Sequence, residues 1–177
     1  QTAANTIVSV TDLGPTSTFT TITTAAANTV LRGIRVAGLR YGVAFAGAGS
    51  PVATGIPTIG TTGGAPTIGN ATFAVTGGNF LPFGLGGLLV KVGPLLLPGI
   101  PLPGTQPGCN LHVGLPEDIF GIVFSDGAGN ASFGLSLPNN PFFIGVDVGA
   151  QWLVADPALA FPLQIGSSQG ASIRIGY

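Results

Sequence analysis

The chain has 177 residues, five basic and six acidic side chains, a net charge of −1 and only 6% charged residues. That length supports one domain with a real core, alone or with an arm, and 45% hydrophobic content excludes the charged, apolar-poor composition of a disordered chain. Three arginines close together are too few for a nucleic-acid-binding patch, whereas so charge-poor a surface favours association between copies.

Residues 1–30 read as a threonine-rich arm, with ten Thr among thirty positions. "NTIVSVT" and "TSTFTTITT" are predicted strands separated by the turn "DLGPT". In the second, Thr18, Thr20 and Ile22 share one face and Phe19, Thr21 and Thr23 the other. "AAAN" at 25–28 supports no more than a helical turn. "NTVLRGIRVAGLRYGVAFAGAG" supplies one or two further strands. The stretch 50–70 is loop punctuated by Gly and Pro, after which "ATFAVTGG" and "LGGLLVKVG" read as strands, the latter buried. "PLLLPGIPLPGTQPG" is too rich in proline for a central strand and reads as an extended crossing loop. The apolar run through this region is broken by Lys91 and four prolines, short of the roughly 18 residues of a membrane span.

"EDIFGIVFSDGAGNASFGLSLP" predicts a hairpin with "DGAGN" as its turn. "PFFIGVDVGAQWLVAD" predicts one long strand carrying the only Trp, and "PLQIGS" and "ASIRIGY" a closing pair. About ten short strands at roughly 8–12-residue spacing give an all-β fold, an antiparallel β-sandwich or jelly roll over 31–177, with a strand-forming N-terminal arm over 1–30. The chain holds no Met, which reads as removal of a signal peptide ahead of Gln1 and thus as secretion. The sequons at Asn70 and Asn130 permit glycosylation.

From about Arg40 onward the order of short motifs is distinctive: "RYGVAFAGAG", "GAPTIGNATF", "PLPGTQPGCNLHV", "LPNNPFFIGVDVGAQWLVADP" and "SSQGASIRIGY". This pattern resembles a group of secreted β-rich proteins of planctomycetes and other environmental bacteria for which no activity is established. The resemblance implies a secreted all-β domain and transfers no catalytic residue. Members of that group often carry a cysteine after "YG", placed to pair with the cysteine of the "GC" motif. Phe45 stands there in this chain, and the resemblance thus implies that Cys109 is the survivor of a lost disulfide.

Cys109 and His112 are the sole residues of their types. Three apart on a strand they point to opposite faces and cannot form a dyad. A Cys nucleophile needs a base and an oxyanion hole, and zinc needs about four ligands. A buried inert thiol and a surface or hydrogen-bonded His are therefore expected, with an intermolecular disulfide of Cys109 as the lesser alternative and no catalytic, metal or cofactor site. Glu117 and Asp118 would need Asp126 or Asp147 to form a glycosidase pair, "DGAGN" has fewer acids than a calcium loop, and Trp152 with Tyr41 is a candidate sugar platform set against core packing of the Trp.

The charges are segregated. Arg32, Arg35, Arg40 and Lys91 are the charged residues of 13–116, and five acids fill 117–172. Opposite signs on two parts of a subunit steer head-to-tail contact. The expected function is accordingly a non-enzymatic structural subunit of an extracellular filament, pilus-like fibre or surface layer, whose partners are copies of itself. The arm, through Thr6, Ile7, Val8 and Val10, would add a strand to a neighbour, with Arg32, Arg35 and Arg40 assisting, or else pair within its own domain. The alternative is an adhesin-like module binding carbohydrate or another surface, with surface glycans as partner.

Overall fold

The computed structural model describes residues 6–10, 19–24 and 41–177. Contacts group the chain into two units, residues 1–37 and 38–177. In the first, β1 (Thr6–Val10) pairs antiparallel with β2 (Phe19–Thr24), with a slip of register between Ile7 and Val8. Both arm strands thus form. "AAAN", Thr18, Arg32, Arg35 and Arg40 lie outside the described residues, as do the side chains of Thr6, Ile7, Val8 and Val10.

The second unit contains β3 (Gly42–Ala46), β4 (Thr58–Thr62), β5 (Ala74–Gly78), β6 (Leu85–Val92), β7 (Ile100–Pro101), β8 (Asn110–Leu111), β9 (Ile119–Phe124), β10 (Ala131–Gly134), β11 (Asp147–Ala155), β12 (Ile165–Ser167) and β13 (Gly170–Arg174). The larger sheet runs β3-β13-β11-β6-β9, with β12 also on β11; the smaller runs β10-β5-β4; β7 and β8 form a short clasp. Every strand pair is antiparallel. Among the described residues no helix is long and apolar enough to cross a membrane.

Strict alternation in β11 sets the core. Val148, Ala150, Trp152 and Val154 are buried on one face and join Leu88 and Val90 of β6 and Ala171 and Ile173 of β13. Ile59, Val75 and Ala131 of the smaller sheet complete the same apolar cluster. Trp152 stands at its centre, its ring edge-on to Phe80 at 5.4 Å and 75°, its Nε1 donating to the Thr76 carbonyl at 2.9 Å. Gly77 makes this possible: a Cβ there would fall 2.5 Å from the Phe80 ring and 3.1 Å from Trp152 Nε1.

The opposite face of the larger sheet is covered in part. Residues 93–116 cross it, as the proline content predicts, tied by β7 pairing with β8. Leu95, Leu102, Leu111 and Val113 pack there on Leu89 of β6 and Leu153 of β11.

Four local expectations are corrected. The stretch 50–70 is not loop throughout: β4 forms within it, pairing with β5 and burying Ile59 in the core. The predicted hairpin over 117–138 does not form: β9 pairs with β6 and β10 with β5, in different sheets. The residues between them do turn, with Gly129 at φ 78° and its carbonyl accepting from Phe80 N–H, but they turn from one sheet to the other. The predicted long strand begins late, because Asn140 caps a 3-10 turn at Pro141–Phe143 and Gly145 follows at φ 82°. Finally, "PLQIGS" and "ASIRIGY" do not pair with each other. Their strands β12 and β13 lie in succession along one edge of β11.

Candidate functional site

The chemistry-bearing residues are dispersed and each is committed locally. Cys109 is a free, buried thiol whose Sγ lies 3.8 Å from the Ile165 carbonyl oxygen. His112, fully buried, sets Nδ1 3.3 Å from the Leu96 carbonyl and Nε2 3.1 Å from that of Ala48. Neither contacts the other, as expected for flanks of the short strand β8. Gln151 beside them is fully buried and makes three hydrogen bonds: Oε1 accepts from His112 N–H at 2.7 Å, and Nε2 donates to the carbonyls of Asn110 and Ser168 at 2.8 and 2.9 Å. Together they sew the 93–116 segment onto the sheet.

The acids do not converge. Asp118 accepts from Val92 N–H at 2.7 Å and lies 3.9 Å from Lys91. Asp147 lies 3.9 Å from Arg174. Asp156 is buried and accepts from the backbones of Ala53 and Ala158. The charge segregation seen along the sequence is therefore partly cancelled in the fold, since Lys91 meets Asp118 across strands. Among the described residues no three His, Cys, Asp or Glu side chains gather. The sugar platform is overturned: Trp152 is fully buried, so it cannot stack with the exposed Tyr41.

The two sequons differ. Asn70 is turned onto its own loop, donating to the carbonyls of Gly63 and Ala65 and accepting from Thr72 N–H and Oγ1. Asn130 is exposed and touches Asp126 alone through a long 3.4 Å side-chain contact.

Asp126 organises the turn between the sheets. Its Oδ1 accepts from Asn130 N–H at 2.8 Å and Ala128 N–H at 2.9 Å. The Asn130 bond chiefly holds the carboxyl below its ordinary value of 3.8, against a smaller opposing effect of desolvation. A lowered folded-state value means that the contribution is full above the ordinary carboxyl range and is lost as pH falls through the folded value. Amide exchange at Ala128 and Asn130 is therefore expected to be slow at about pH 5 and to speed up, relative to core amides, toward about pH 2. An Asp126→Asn variant should show no such change; equal acid sensitivity in the variant would show that the carboxylate does not hold the turn.

What remains are two surfaces. The outward face of the smaller sheet carries only small groups: Thr58, Gly60 and Thr62 on β4, Thr76 and Gly78 on β5, and Ser132 on β10, lining an open groove of about 570 Å³. The second surface is the uncovered part of the larger sheet. β9 reads "IFGIVF", apolar at both faces, as a strand buried on both sides would be. Its inner face is accommodated by Gly121, where a Cβ would come within 2.3 Å of the Phe133 ring. Its outer face presents Phe120, Ile122 and Phe124 at 52, 62 and 70% exposure. Beside them Leu85, Gly87, Leu153, Ala155 and Ile165 line an apolar groove of about 160 Å³. Yet among the described residues β9 is the end of its sheet, paired with β6 alone. Sequence reading placed this strand in a hairpin with residues 131–134 and not at an edge, because its pairing depends on a partner some thirty residues earlier.

No protein-family model, curated protein or solved structure matches the chain.

Proposed function

We propose that this protein is a secreted structural subunit of an extracellular filament, pilus-like fibre or surface layer, and that it is related to the planctomycete-type secreted β-rich proteins it resembles. In this reading the two sheets form a β-sandwich, and copies assemble by strand addition. The single observation that carries it is β9: a strand with the composition of a doubly buried one stands at a sheet edge with Phe120, Ile122 and Phe124 bare. Such edges template pairing with another chain unless charge, proline or a bulge blunts them, and β9 itself contains none of the first two. Contiguous exposed apolar surface of this kind marks interaction sites. A chain with 6% charged residues has little else to keep copies apart. No enzymatic step enters this reading.

Negative-stain electron microscopy of the purified protein, without denaturant, is expected to show regular fibres or sheets. Discrete small particles at all concentrations would overturn the proposal. A second reading, an adhesin-like module binding carbohydrate or another surface, is favoured by the hydroxyl-lined groove around Thr58, Thr76 and Ser132. It predicts retention on a glycan array by the monomer, abolished by bulky replacement of Thr76.

A further inference from the structure

We infer that β9 is the acceptor edge of the assembly and that strand β1 of the N-terminal hairpin of a second copy occupies it. This inference rests on the proposed self-assembly and specifies its partner surfaces. Among the described residues the outer edge of β9 pairs with no strand, and the β1–β2 hairpin is a two-stranded sheet of its own, so each of its strands also has one strand neighbour there. The lengths match: five residues in β1 and six in β9. β1 is the more apolar of the two hairpin strands, "TIVSV" against "FTTITT", and its addition turns β9 from an end strand into an internal one, the position its composition fits. Phe120, Ile122 and Phe124 then pack laterally against alternate side chains of the incoming strand.

Charge supports the same pairing. β9 is bracketed by Glu117 and Asp118 before it and Asp126 after it, and Lys91, 3.9 Å from Asp118, offsets one of the three. The unit that contains the hairpin carries Arg32 and Arg35 with a single acid, Asp12, and Arg40 follows it. Surfaces of opposite sign favour this encounter and penalise β9 meeting β9, which would bring acids together. The seventeen residues between Thr24 and Gly42 span at most about 60 Å when extended, enough to reach a neighbouring subunit. A contact between two different surfaces is heterologous and propagates, which is what a fibre requires.

The test uses the full chain in two parts. Light scattering after size exclusion compares the native protein with Ile122→Lys, an exposed change that the fold tolerates, and Val8→Pro, which removes a strand N–H. Each is expected to weaken association at least about tenfold. Then Val8→Cys and Ile122→Cys proteins are mixed under mild oxidation, Cys109 being buried. The expected product is the mixed disulfide dimer, in excess over either homodimer. A native protein that never associates sinks the assembly reading, and this inference with it. Association that survives Ile122→Lys, or a dominant Ile122→Cys homodimer, sinks the inference alone. Binding of the native chain to neutral phosphatidylcholine vesicles, lost in Ile122→Lys, would instead assign the face to lipid.

Discussion

Replacing Trp152 with alanine is expected to lower the unfolding free energy by about 3–5 kcal/mol, the upper range for core substitutions. Three losses add at this position. The indole is fully buried at the junction of both sheets, so its removal leaves a cavity that Gly77, lacking a side chain, cannot fill. The edge-on contact with Phe80 disappears, worth about 0.5–1.5 kcal/mol beyond area. The Thr76 carbonyl loses its indole donor. For a chain of this size each kcal/mol moves the midpoint by about 2–4 °C, so thermal unfolding followed by near-ultraviolet circular dichroism reads the effect directly. Trp152→Phe keeps most of the apolar volume and forfeits the donor, and is expected to cost about 1–2 kcal/mol. A loss below about 1 kcal/mol for the alanine variant would contradict the placement of the indole in the core.

Trp152 was legible in advance because burial in a strand follows from alternation: Val148, Ala150, Trp152 and Val154 fall on one face whatever the strand pairs with. The all-β class was legible for the same reason. Pairing was not. "DGAGN" carries real turn chemistry, seen in Asp126 and Gly129, but a turn specifies a change of direction and not whether the chain returns to its own strand. That choice was made by partners remote in sequence, β6 for β9 and β5 for β10. Likewise "PLQIGS" and "ASIRIGY" had strand composition, and β11 was long enough to take both along one edge.

The candidate face shows the same division. "IFGIVF" announces a strand that wants cover on two sides, and only the topology reveals that one side is bare. The 93–116 segment covers Leu89 and Leu153 and leaves Leu85, Phe120, Ile122 and Phe124 exposed, so one part of this sheet face is sealed within the chain and the part beside it is bare. The sequence-based search for chemistry centred on Cys109 and His112 and passed over Gln151, whose importance arises from what lies on top of it. A lone amide in an apolar strand, next to Trp152, was the available signal.

Gln151→Leu should consequently be strongly damaging, at about 3 kcal/mol or more. It keeps the volume but strands three buried groups, His112 N–H and the carbonyls of Asn110 and Ser168, each costing about 1–3 kcal/mol when left unpaired. Gln151→Glu sharpens the diagnosis. It removes two donors and turns a carboxylate toward two carbonyl oxygens, so at neutral pH it should be at least as destabilising. Protonating the introduced carboxyl restores one donor, so its deficit relative to the native chain should shrink as pH falls, while that of Gln151→Leu should not. Denaturant unfolding of the three proteins at two pH values checks both orderings; parallel behaviour of the Leu and Glu variants would mean that the network does not fasten the crossing segment. Release of that segment also has a surface consequence. It would join Leu89, Leu111 and Val113 to the bare apolar area beside them, converting a bounded face into an unbounded one. Gln151→Leu is thus expected to bind a hydrophobic dye before it unfolds and to form irregular aggregates, because the limits of the bare apolar face are set by where the cover ends.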